Sequence, residues 1–311
     1  MTIRQNTYWR EPIAFYERTL KYAQEGPRVF NNLGLAYHGA GKYEDAIESY
    51  KKAIALDPNY EMAYYSLADV YSKLGKNEEA IAFYQKAIGL NSIYLDAYNN
   101  LANKYKDIGK YDDAIALFKK ILTINPNYEK AYNNLAITYK DIGKNEEAIA
   151  LYNKVIVLNP FLFEAYYNLG CLYTELGKHE EAIIAYKKSI ELNPNLVEAY
   201  NNLGGAYAAT GKNVEAIAAC KKVIALNPYS VEAYYNMGMM YVIIGKREEA
   251  LTAFGKTIEI DPSHAAAYGN LALIYYNKKQ YDLAIKYSDK AIELGYRVPS
   301  DFLKLLEQYR F

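Results

Sequence analysis

Three histidines, His38, His179 and His264, and two cysteines, Cys171 and Cys220, are the side chains of this 311-residue chain best suited to acid–base, nucleophilic or metal chemistry. Their spacing supports none of it. No metal-ligand spacing, phosphate loop or nucleophile elbow is present. Two cysteines make no disulfide framework and do not fix a redox compartment. No enzyme activity, metal or cofactor is therefore expected. Another chemistry recurs instead, that of the side-chain amide. KAYNNLAITY from Lys130, DAYNNLANKY from Asp96, EAYNNLGGAY from Glu198 and EAYYNLGCLY from Glu164 all read as helix with asparagine at the centre. Asparagine is up to about 0.7 kcal/mol worse than alanine inside a helix, so its return needs a reason. An amide offers a donor and an acceptor. A line of them could hold the backbone of an extended peptide without requiring any particular side chain.

These segments recur every 34 residues, which divides the chain into eight units: 27–60, 61–94, 95–128, 129–162, 163–196, 197–230, 231–264 and 265–298. Within a unit, position 4 is aromatic, 8 is small, 11 is tyrosine and 20 is alanine throughout. Positions 4, 7, 8 and 11 follow one face of a helix, and 20, 24, 27 and 28 follow one face of a second. Glycine at position 15 in seven units can end the first helix in the left-handed conformation. The residues after it, as in Asn77-Glu78-Glu79, read as a cap with negative charge at the next helix start. Proline at position 32 in six units closes the second helix. The recurrence also accounts for 36 tyrosines.

The pattern resembles the tetratricopeptide repeat: aromatic at 4, Leu-Gly at 7 and 8, Tyr at 11, Ala at 20, aromatic at 24, Ala at 27 and Pro at 32. Departures are Ser92 for proline in the second unit, Cys220 and Ser288 for the aromatic at 24, and Lys279 and Tyr296 for the glycine and proline of the last. The resemblance implies an all-α, right-handed superhelical solenoid of helix–turn–helix repeats. Residues 1–26 would supply an N-terminal segment with a capping half-repeat helix, its stripe made by Ile13, Tyr16 and Leu20. Residues 299–311 would supply a closing helix capped by Ser300, with Phe302, Leu305, Leu306 and Tyr309 over the last repeat.

The resemblance further implies that positions 2, 5, 6, 9, 12 and 13 of the first helices line a concave groove. Position 6 reads Asn32, Ser66, Asn100, Asn134, Asn168, Asn202, Asn236 and Asn270, one asparagine per repeat with one gap. It is similar to the asparagine ladder of O-linked N-acetylglucosamine transferases and armadillo-type importins. Two readings stand: a peptide-contacting ladder, or asparagines serving packing between repeats. Tyr167 and Tyr235 at position 5, Lys106 and Lys140 among mixed charge, and the apolar Met239 and Ile243 complete the candidate groove. Glu164, Glu198 and Glu232 at position 2 would favour a basic segment. The closing helix or a second copy of the chain could instead cover the apolar half. Positions 5 and 6 are never basic, so the carboxylate clamp of co-chaperone repeats is not expected.

Thirty-six acidic and 36 basic residues leave zero formal charge. That argues against nucleic acid, which needs a basic face, and against an acidic membrane surface. No apolar run is long enough to span a bilayer. The expected function is a non-catalytic interaction scaffold for a protein or peptide partner, with self-association open. Residues 2–38, through Arg4, Asn6 and Trp9, also resemble the junction before the repeats of multi-span mannosyltransferase-type membrane proteins. That resemblance implies the alternative of a substrate-presenting arm on the exported side; without it the chain would be a cytoplasmic scaffold. A self-assembling array is the third alternative.

Overall fold

The computed structural model describes residues 12–21 and 26–310. Arg4, Asn6 and Trp9 lie outside the described residues. Every regular element among those described is a helix, and no helix is long and apolar enough to cross a membrane. The fold is an all-α helical-repeat solenoid, divided into two compact units, Met1–Leu158 and Asn159–Phe311. The first unit holds α1 (12–21), α2 (Pro27–Gly39), α3 (Tyr43–Leu56), α4 (Glu61–Lys73), α5 (Asn77–Leu90), α6 (Leu95–Asp107), α7 (Tyr111–Ile124), α8 (Glu129–Asp141) and α9 (Asn145–Leu158). The second holds α10 (Phe163–Glu175), α11 (His179–Leu192), α12 (Val197–Ala209), α13 (Asn213–Leu226), α14 (Val231–Ile243), α15 (Arg247–Ile260), α16 (Ala265–Asn277), α17 (Tyr281–Glu293) and α18 (Ser300–Glu307).

Even-numbered helices from α2 to α16 are the first helix of a repeat, and each packs on its successor in an antiparallel hairpin. Close packing follows from residue size. Position 20 alanine is at most 1% exposed in every repeat, Ala46 and Ala216 among them. The position-24 aromatics Tyr50, Phe118, Tyr186 and Phe254 are fully buried against the opposite helix, each burial contributing about 1.5–3 kcal/mol. First helices also touch the first helices of the next repeat, α2 with α4, α6 with α8 and α10 with α12. Among the described residues no comparably close approach joins second helices of successive repeats. Within each unit the first helices therefore form the inner layer.

The turns depart from the sequence reading in one respect. Asn77 is the first residue inside α5, and the residue before the helix is Lys76, with no side-chain cap bond. Lysine holds this place in seven repeats, and its ammonium lies over the position-11 tyrosine: Lys42 on Tyr37 at 5.6 Å, Lys76 on Tyr71 at 5.7 Å, Lys110 on Tyr105 at 5.8 Å and Lys144 on Tyr139 at 5.7 Å. The methylene stem covers the ring while the charge stays wet.

At the ends, Ile13 packs with Leu33 and Ala36 of α2, with Tyr16 and Leu20 alongside. In the closing helix Leu306 is fully buried, Phe302 lies edge-on to Tyr276 at 5.4 Å and Tyr309 stacks on Tyr281 at 3.5 Å. Ser300 is the first helical residue, after Pro299, and caps nothing. Leu305 faces away and is 45% exposed; the half-buried Leu303 takes the inward place.

Candidate functional site

The asparagines at position 6 sit on the inner layer and reach to the preceding repeat. In the first unit, the Asn100 amide donates to Tyr65 Oη at 3.1 Å and to Asp69 Oδ1 at 3.0 Å. Asn134 donates to Asn99 Oδ1 at 2.9 Å. In the second unit, Asn202 donates to Tyr167 Oη at 3.3 Å and Cys171 Sγ at 3.6 Å. Asn270 donates to Tyr235 Oη and Met239 Sδ, both at 3.4 Å. The pattern is common to both units: position 6 donates to position 5 one repeat earlier, and in three of these four cases to position 9 as well. Positions 5, 6 and 9 were legible as a face; that they bond to one another was not. The signal was there, since position 5 in every repeat before the last is Asn or Tyr, each able to accept.

The donors of Asn100, Asn202 and Asn270 are thus engaged within the protein. Oδ1 of Asn202 and of Asn270 accepts no hydrogen bond among the described residues. These amides are half-buried, as are Asn32 on α2 and Asn168 on α10; Asn236 on α14 is exposed. Position 9 of the repeat before Asn236 is Gly205, which has no side chain to accept its donors.

Asp69, at position 9 of the second repeat, is the centre of a polar cluster in the first unit. Its Oδ1 accepts from the Tyr84 hydroxyl as well as from Asn100. Burial, then the Asp69 charge, holds the Tyr84 hydroxyl far above the usual tyrosine range. A cleft of about 320 Å3 opens beside it, walled by His38, Lys73, Asn103 and Asp107. Asp107 pairs with Lys104 at 2.7 Å rather than with Lys106. Lys106 and Lys140 are half-buried on the same face of α6 and α8. Tyr167 and Tyr235 lean on the buried rings of Tyr186 at 6.1 Å and Phe254 at 5.7 Å. Burial, then Cys171, pushes the Tyr167 hydroxyl up to about 12.

The closing helix reaches Tyr276 but leaves the apolar half open. Ile243 is 59%, Leu273 46% and Val242 39% exposed, while Met239 is half-buried under Asn270. The histidines do not meet. His38 is half-buried beside Tyr43, His179 opens α11, and His264 Nδ1 caps α16 by accepting from Ala267 N at 3.2 Å. Cys220 is buried, and burial pushes its thiol up to about 11. Among the described residues no group of three or more His, Cys, Asp or Glu could hold a metal ion.

Models of the tetratricopeptide repeat match 63–94, 95–128, 117–150, 197–230, 219–252 and 265–294, and a TPR-repeat model matches 40–75, 138–174, 170–211 and 238–279. The chain is a tetratricopeptide-repeat protein. It is similar to a crystal structure of MamA protein at 34% identity, covering 55% of this chain and 94% of that one with a TM-score of 0.51. It is also similar to YrrB, described as a TPR protein with an unusual peptide-binding site, at 28% identity over 59% and 95% of the two chains with a TM-score of 0.52. A tetratricopeptide-repeat protein from Parabacteroides merdae shares the fold at 20% identity, over 76% and 93%, with a TM-score of 0.57. A comparison with curated proteins returns no match. This tetratricopeptide-repeat chain is a protein-interaction scaffold, and none of the matched models names an enzyme.

Proposed function

We propose that the inner layer of first helices binds an extended peptide segment of a partner protein, with position-6 asparagines contacting its backbone. The observation that carries this reading is the engaged-donor, open-acceptor state of Asn202 and Asn270. Inter-repeat bonds from their amide hydrogens orient each side chain and leave Oδ1 for a ligand. Such a row accepts from peptide N–H groups, the part of a ligand common to all sequences. Tyr167, Tyr235, Met239 and Ile243 supply contact area around it. The similarity to YrrB, with its peptide-binding site, supports the same reading.

Because these asparagines also hold repeats together, their removal should lower stability as well as affinity. Asn134→Ala, Asn168→Ala and Asn202→Ala combined should lose partners captured from lysate by the parent chain. Tyr167→Phe with Tyr235→Phe removes internal acceptors and spares the asparagines. It should cost about 0.5–1.5 kcal/mol per lost bond and keep the partners. Equal capture by the alanine variant and the parent would remove the asparagines from the binding surface.

A further inference from the structure

The zero net charge hides an asymmetry between the two inner layers. In the first unit, α4, α6 and α8 each carry both signs and α2 carries Arg28, and opposite charges pair: Lys104 with Asp107 at 2.7 Å, Lys130 with Asp96 at 3.9 Å. In the second, α10, α12, α14 and α16 contain four glutamates and not one lysine or arginine. Three of them, Glu164, Glu198 and Glu232, occupy position 2 of consecutive repeats. All three are exposed, and none makes an ion pair among the described residues. Three lysines of this unit pair with other glutamates, Lys188 with Glu191, Lys256 with Glu259 and Lys212 with Glu180, at 2.7–2.8 Å. Two to three turns further along these helices the surface is apolar. Gly205 opens on empty space, and Ile243 and Leu273 are about half exposed, at 59% and 46%.

An uncompensated row of one sign, with exposed apolar side chains further along the helices, fits a partner of the opposite sign with apolar side chains of its own. We propose that the inner layer of the second unit selects an extended segment bearing lysine or arginine at about every third residue, with apolar residues between. The proposal rests on the groove reading above and adds its selectivity. The period follows from geometry. Packed helices lie about 8–10 Å apart, and an extended polyproline-II chain advances about 3.1 Å per residue with three residues per turn. Every third side chain of such a segment then returns to the same face, one cation to each glutamate. Leu273 and the space above Gly205, about two turns further along the helices, receive the apolar side chains.

The test uses the full chain and three labelled synthetic peptides of equal length, repeating Lys-Leu-Ser, Gln-Leu-Ser and Glu-Leu-Ser, read by fluorescence anisotropy. The lysine peptide should bind about tenfold or more tighter than the glutamine peptide, with affinity falling as salt rises. Glu164→Gln, Glu198→Gln and Glu232→Gln combined should abolish that preference with helical circular dichroism retained; each removes a first-turn charge from a helix N-terminus, so a small drop in melting temperature is expected. A peptide of the same length and composition repeating Lys-Lys-Leu-Leu-Ser-Ser should bind less tightly. If the glutamine peptide binds as tightly as the lysine peptide, or the triple variant keeps the preference, the charge selectivity is wrong and the groove reading survives. If none of the peptides binds, both fall. A concentration-dependent rise in mass that the triple variant loses would make a second copy of the chain the occupant and overturn the proposal.

Discussion

Position 8 is small in every repeat, and at Gly34, Gly170 and Gly238 the position-24 ring lies directly on it. A Cβ built on Gly34 would stand 2.5 Å from the Tyr50 ring, on Gly170 2.7 Å from Tyr186, and on Gly238 2.7 Å from Phe254. The sixth repeat has Cys220 in place of the ring, and there a Cβ on Gly204 meets nothing nearer than Ala219 at 3.5 Å. Gly204→Ala should therefore stabilise the protein by about 0.5–1 kcal/mol, the helical advantage of alanine. Gly170→Ala should not, since it must displace Tyr186. Chemical denaturation of the two variants beside the parent checks this, and equal shifts would refute the account. Ser66, the gap in the asparagine row, has a visible consequence. Asn31 and Tyr50 are fully buried, and among the described residues neither the Asn31 amide nor the Tyr50 hydroxyl makes a well-formed hydrogen bond. Asparagine at 66 would stand to them as Asn100 stands to Tyr65 and Tyr84. Ser66→Asn should raise stability by about 1 kcal/mol, seen as a higher unfolding midpoint; a fall would mean the site lacks room. The repeat register was legible from residue types alone. The bonding among positions 5, 6 and 9 was not, because it joins residues 31 and 35 apart whose contact depends on how repeats pack.

At the scale of the element, seven turns solve one problem in one way and the eighth does not. The position-15 glycines end the first helices at φ of 70–78°, Gly177 and Gly143 marking the limits. In the last repeat Lys279 adopts φ 61°, a conformation in which the Cβ crowds the following carbonyl. Lys279→Gly should stabilise the protein by about 0.5–1 kcal/mol, measured by thermal unfolding; an unchanged or lower midpoint would show the strain is absorbed. Glycine at position 15 was readable because few residues take that backbone. The lysine after it was not read as structural. Its role is the contact with Tyr37, Tyr71, Tyr105 and Tyr139, and a lysine in a turn ordinarily reads as solvated. Tyr296 shows the same limit. It replaces the last proline and lies over Gly269, 2.7 Å from a Cβ built there, so the absent side chain at position 5 of that repeat is explained only once both are seen together.

For the molecule as a whole, tyrosine makes the fold sensitive to alkali. The protein contains 36 tyrosines, and those at positions 5 and 24 sit inside the repeat stack. Burial is the largest cause in each case: it holds the hydroxyls of Tyr50, Tyr65, Tyr84 and Tyr186 far above the ordinary value. Tyr94 and Tyr167 are each pushed up to about 12. In the unfolded chain all of them ionise near the ordinary tyrosine value of 10.0. Below that pH both states keep the proton and the contribution to stability is complete. Above it the unfolded chain releases protons that the folded chain retains, so each pH step favours unfolding further. For Tyr94 and Tyr167 the loss should be complete near pH 12; for the four more strongly raised groups it continues to higher pH. The thermal midpoint should therefore be flat from neutrality to about pH 9 and fall steadily beyond about pH 10. Tyrosinate absorbance should rise in two stages, exposed rings first and buried rings together with loss of helical circular dichroism. A midpoint unchanged through about pH 11, or one smooth titration of every tyrosine with the helices intact, would mean that the buried hydroxyls ionise in place. The core tyrosines would then be wetter than their burial implies.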